Sequence, residues 1–279
     1  MPAVLLSLAS SLSFGVADFL GGVASRRGAV VTVLLVSHAV GLAGIAVLVA
    51  ARADGPPDAV FVPLAALSAA LGTAGVAALY RGLATGLMSV VAPIAAAAAV
   101  IPVVWGAVRG DAPTALQNGG IALALGGVVL VSRTRTRPGA DARLAAGAGL
   151  GLVAAALFGL FLVSFEAASR DDPYWAVLAL RVSSVAMLAA VAAVLRPSLR
   201  TGRRGLGVLA VIGLLDVAGN AFFAVATTKG LIGVVAVLSS LYPIVTIGLA
   251  RLVLRERLHP LQAAGVAAAL AGVGLIAAG

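Results

Sequence analysis

The chain has 279 residues, 62% of them hydrophobic and only 10% charged, with a mean hydropathy of +1.14. A water-soluble domain carries roughly a quarter charged residues, so this composition excludes a soluble globular protein and points to lipid as the main solvent. The net charge of +9 does not indicate nucleic acid, because the arginines stand between apolar runs, where a membrane protein keeps its orienting charges. The lack of cysteine excludes disulfides, thiolate metal sites and thiol catalysis.

A bilayer core about 30 Å thick takes roughly 20 apolar residues as helix. The first such run, 3–22, resembles a signal-peptide core but lacks a basic start and a convincing cleavage site, so it is expected to remain as a span. Ser7, Ser11, Phe14 and Asp18 lie along one face of it at helical spacing. That polar stripe is expected to face an interior. The second run, 29–50, carries His38 at depth, where an imidazole suits proton transfer or a hydrogen-bonded core position. The third, 59–80, ends at Arg81, level with Asp18; the two are expected to pair as an inner gate. Contact of Asp18 with substrate, or balance by Arg26 or Arg27, are the other roles open to it. The fourth run, 86–108, contains Pro93 and Pro102 as kink sites, and the fifth, 114–132, is rich in Gly and Ala after Asn118.

A linker, "RTRTRPGADAR" from Arg133, precedes the sixth run, 144–166. The seventh, 173–194, holds Arg181, and the eighth, 205–226, holds Asp216; with a rise of about 1.5 Å per residue both lie near the midplane. Charge at that depth costs about 2.5–3.5 kcal/mol on insertion scales, so they are expected to face a common interior, as a substrate or proton site or as a static ion pair. Asn220 and Thr227 share the face of Asp216. The ninth run, 230–253, places Ser239, Tyr242 and Thr246 on one face beside Pro243, a kink site whose freed carbonyl is usable where it lines a cavity. The tenth, 260–278, is again rich in Gly and Ala, which lets helices approach closely.

The linker divides the chain into two similar halves of five runs, 1–134 and 143–279. "QNGGIALALGGVVLV" from Gln117 lies over "QAAGVAAALAGVGLI" from Gln262, and "FGVADFLGGVASR" from Phe14 over "FGLFLVSFEAASR" from Phe158, at offsets of 145 and 144. Two halves of five spans must enter the membrane from opposite sides. An all-α protein of ten spans in two inverted repeats is thus expected, an arrangement typical of secondary transporters.

The pattern resembles the EamA-type members of the drug/metabolite transporter superfamily. The likeness is carried by "YRGLATGLMSVVAPI" (Tyr80–Ile94), by "GVVAVLSSLYPIVTIGLARLVLRERLHPLQAAG" (Gly233–Gly265) and by "FGVADFLGGVASRRG". The first half departs from it: Asp111 stands where the second has Glu256, and Ala98 where it has Pro243. The resemblance implies a transporter of small metabolites, often an exporter of amino acids or related solutes. It also implies a central cavity built by both halves, with the last helix of each half peripheral.

With the N terminus outside, the inner loops hold fourteen basic residues against four outside, which places both termini outside. The expected setting is the plasma (inner) membrane, as monomer or homodimer, with a small-molecule substrate, with proton coupling open, and with no cofactor, metal or nucleic acid. A channel or scaffold subunit is the alternative class. An intramembrane enzyme lacks its signatures, since neither a Tyr-Asp with Gly-x-Gly-Asp nor a Gly-x-Ser-x-Gly occurs.

Overall fold

The computed structural model describes residues 1–58, 61–86, 88–132, 141–198, 202–254 and 260–278. Among them are twelve α-helices: α1 (Pro2–Ser25), α2 (Val30–Arg52), α3 (Phe61–Thr85), α4 (Met88–Ala96), α5 (Val100–Val108), α6 (Ala115–Ser132), α7 (Asp141–Ala168), α8 (Pro173–Leu195), α9 (Arg203–Thr227), α10 (Ile232–Ser239), α11 (Tyr242–Leu254) and α12 (Pro260–Ala278). Helix is what such a sequence must adopt in hydrocarbon, where no water satisfies a bare amide or carbonyl. Seven of the described stretches are long and apolar enough to cross a membrane, the seventh running unbroken in sequence from Ile232 to Leu254 across α10 and α11. Leu5, Val47, Val108 and Val194 stand outward and exposed, as a lipid-facing surface requires.

Each apolar run is helical, but two are interrupted. The fourth becomes α4, a 3₁₀ turn at Ala97–Ala99, and α5; the ninth becomes α10 and α11 with Ser240 and Leu241 between them. Proline lacks the amide that would bond the carbonyl four residues back. Pro243 thereby cannot donate to the Ser239 carbonyl, nor Pro102 to that of Ala98. Of the two kink sites expected in this run, the break falls at the turn before Pro102, and Pro93 lies within α4. Glu256 and the linker arginines Arg133, Arg135 and Arg137 lie outside the described residues.

Local signals set several helix starts. Thr114 and Gln117 form a reciprocal capping box on α6, each backbone amide bonded to the other's side chain at 3.0 and 3.1 Å. Asp172 caps α8 by accepting from the amides of Tyr174 and Trp175 at 2.8 and 3.1 Å, and Pro173 follows at a position where a missing amide costs nothing.

Two apolar layers close the bundle. One includes Ile45, Val49, Phe61, Phe165, Ala176 and Phe223, with Ala3 and Leu6 packed against it, so it lies at the N-terminal end of α1. The other includes Phe19, Leu34, Tyr80, Leu83, Leu209 and Ala250, toward the C-terminal end of α1. Small residues allow the tightest crossings. A methyl on Gly41 of α2 would lie 2.9 Å from the carbonyl oxygen of Gly213 on α9, and one on Gly213 would overlap the Ser37 carbonyl. A methyl on Gly272 of α12 would stand 2.6 Å from the Ala124 amide of α6. These last helices pack on each other as the glycine-rich pattern predicts.

Candidate functional site

Between the two layers lies a cavity; the empty space in it and before it is about 730 Å³, with open solvent at the mouth included. Its walls come from α1, α2, α3, α7, α8, α9, the 3₁₀ turn and the α10–α11 break; no described residue of α6 or α12 lines it. The two walls differ. α1, α2, α8 and α9 bring Asp18, His38, Arg181, Ser184, Asp216 and Asn220. α3 and α7 bring Gly72, Val76, Phe158, Phe161 and Leu162, with Thr73 as their one polar lining residue among the described ones.

The Arg181–Asp216 pair expected from the sequence is formed. Nη2 of Arg181 lies 2.5 Å from Oδ2 of Asp216, and Nε2 of His38 lies 3.8 Å from the same oxygen. The Arg181 side chain is only 3% exposed, so the attraction acts with little screening, at the cost of desolvating both ions. Nδ1 of His38 is 3.1 Å from the Ser184 hydroxyl, which itself donates to the Arg181 carbonyl at 3.1 Å. Asn220 spends one amide proton on the Asp216 carbonyl at 2.8 Å. α2, α8 and α9 thus meet in one polar cluster.

Asp18 lines the cavity and is 8% exposed, and its carboxylate has no hydrogen-bond or ion-pair partner among the described residues. Arg81 is exposed on α3 and makes no ion pair with it. The gate expected from their common level is not formed in this conformation, because the two side chains point to different surroundings. The glycines after Asp18 are packing devices: a methyl on Gly21 would overlap the Tyr80 ring, and one on Gly22 would lie 2.9 Å from Leu83 and Met88.

The remaining expected residues divide. Ser239 and Tyr242 line the cavity. Ser7, Ser11 and Thr246 are buried but absent from its lining. Ser7 donates to the Ala3 carbonyl of its own helix, and Thr246 reaches the Gly15 carbonyl at 3.1 Å, joining α11 to α1. Thr227 likewise bonds its own helix. Sequence reasoning missed Thr73, Ser184 and the rings of Phe158 and Phe161 as lining. Phe158 could have been found, since it stands opposite Phe14 in the aligned halves.

A second charged cluster, unexpected from the sequence, lies at the N-terminal end of the bundle. Arg52 makes a two-bond fork with Asp172 at 3.0 and 3.2 Å, contacts Asp54 at 2.8 Å and lies over the Tyr174 ring at 4.2 Å. Burial raises the Asp172 carboxyl, but the Arg52 guanidinium and the two capping amides outweigh that and hold it below the usual carboxylate range. Glu166 similarly joins Arg109 at 3.4 Å and Arg170 at 3.1 Å. Pairs near solvent contribute only about 0.2–1 kcal/mol each, so such a clamp opens readily.

Residues 145–278 match the model of the EamA-like transporter family. A crystal structure of a protein superposes with a TM-score of 0.74 over 99% of this chain and 98% of that one, at 17% sequence identity, a likeness of fold. No curated protein matches the chain.

Proposed function

We propose that this chain, a multi-pass membrane transporter of the EamA type, carries a small metabolite by alternating access. The substrate class is an amino acid or related solute, and the direction is export across the inner membrane. The working parts are two inverted repeats, 1–134 and 143–279, with ten spans in all and both termini on the non-cytoplasmic side. His38 and Asp216 are the groups through which a proton could couple.

The observation that carries this reading is that matched positions of the two halves make matched contacts around one cavity. The ring of Phe14 fills the space beside Gly219, as the ring of Phe158 fills the space beside Gly75. Gly15 admits the Tyr242 carbonyl and Val245, as Gly159 admits the Ala98 carbonyl and Ile101. Every one of these residues stands 144 positions from its counterpart. Helix contacts follow the same exchange: α3 with α7 answers α1 with α9, and α2 with α9 answers α8 with α3. Two like halves around a shared site can rock between two openings of nearly equal energy.

Counterflow tests it. Proteoliposomes loaded with excess unlabelled amino acids and amines, then given a labelled trace outside, should show a transient overshoot that saturates with concentration. Uptake without overshoot would mean a channel, and no uptake at all would mean a scaffold.

A further inference from the structure

Charge is unevenly placed on the cavity wall. At the offset of 144, the counterparts of Asp18, Asp216 and Asn220 are Leu162, Gly72 and Val76, and all six line the cavity. The site therefore has one ionic side and one apolar side, and a ligand that fits it is itself two-sided.

The ionic side has two carboxyl groups and a single guanidinium. Arg181 is engaged by Asp216, and His38 is bonded to Ser184 and faces that same carboxylate. Asp18 is left with no cation among the described residues, although more than nine-tenths of it is buried. With His38 neutral and Asp18 ionised, the lining carries one net negative charge. A lone carboxylate away from water is costly until a positive charge meets it. A bare proton would neutralise Asp18 but would make no use of the rest of the wall. Phe14, Phe158, Phe161 and Tyr242 present aromatic rings to the same space. Such rings attract a desolvated cation. Thr73 and Ser239 also line it, each with a buried hydroxyl that has no hydrogen-bond partner. They can accept from an ammonium group.

We infer that the cavity takes a small organic cation, an ammonium on an apolar body, with Asp18 as its counter-ion. The inference rests on the transport reading of this same cavity and narrows the solute from amino acids and related compounds to amines, which lack an amino acid's carboxylate. It also gives the α1 carboxylate a partner that no residue of the described chain supplies.

The test is equilibrium binding to the full chain in lipid nanodiscs, with three probes of similar size: 2-phenylethylammonium, neutral 2-phenylethanol and anionic 3-phenylpropionate. The cation should bind at least tenfold more tightly than the other two. Asp18→Asn should lower its affinity to that of the neutral probe and leave the neutral probe unchanged, while Asp18→Glu keeps the preference. Equal or weaker binding of the cation by the unmodified chain overturns the inference, even should Asp18→Asn fail to fold. So does an Asp18→Asn protein that retains the cation preference. Counterflow is read separately. Cation-selective binding without counterflow refutes transport and leaves the site standing; counterflow confined to neutral or anionic probes refutes the site and leaves transport standing.

Discussion

Asp216→Leu and Arg181→Leu, made singly, should each cost about 3–5 kcal/mol, because each strands one charge in the interior. The double substitution should recover most of that loss, since two apolar side chains avoid the desolvation that the ion pair bears. Unfolding curves, or the yield of monodisperse protein, read this directly. Function should not follow stability. The pair is the centre of the ionic wall, with His38 at 3.8 Å and Asn220 on the next turn, so the folded double variant should show no counterflow. A double variant that folds and transports normally would make the pair a static strut between α8 and α9. Asp216→Asn separates the remaining roles. Loss of gradient-driven accumulation with exchange intact marks a proton carrier, and loss of both marks a substrate ligand.

Gly213→Val should leave little folded protein. Its Cβ would enter the space of the Ser37 carbonyl on α2, at a crossing so close that a methyl on Gly41 would in turn stand 2.9 Å from the Gly213 oxygen. A backbone cannot swing aside as a long side chain can, so the cost should exceed the roughly 1–3 kcal/mol typical of overpacking. Gly207→Val lies on the same helix but meets nothing within 4 Å, and should be close to neutral, because valine is a slightly better helix former than glycine. Thermal unfolding of the two variants compares them. Equal stability would mean that α2 and α9 do not cross as described.

The helices were legible because membrane thickness converts directly into a length of apolar sequence, and seven of the described stretches are long and apolar enough to span. Depth was legible too: counting residues along α8 and α9 brought Arg181 and Asp216 to one level, and they meet. Rotation about the helix axis was less so. Asp18 and Arg81 share a level, yet one side chain is buried and the other exposed. Ser7 and Ser11 lie on a polar stripe that α1 buries in helix packing, where Ser10 reaches the Gly219 carbonyl at 2.9 Å. The break in the fourth span depends on which carbonyl loses its donor, and two prolines competed for it. The Arg52–Asp172 fork joins residues 120 apart at the ends of helices whose pairing no local pattern encodes. The internal offset was the most informative signal, because it linked Phe14 to Phe158 before either was seen to line the cavity.

Alternating access is tested most directly by following one position in the cavity wall from both faces of the membrane. The chain has no cysteine of its own, so Val76→Cys supplies a single reporter, and a membrane-impermeant maleimide is applied to right-side-out and inside-out vesicles. It should be labelled from both faces. Bridging Arg52→Cys to Asp172→Cys beforehand should abolish labelling from the non-cytoplasmic face and spare it from the other. Labelling that the bridge leaves unchanged at both faces, or labelling from one face only without the bridge, would contradict alternating access.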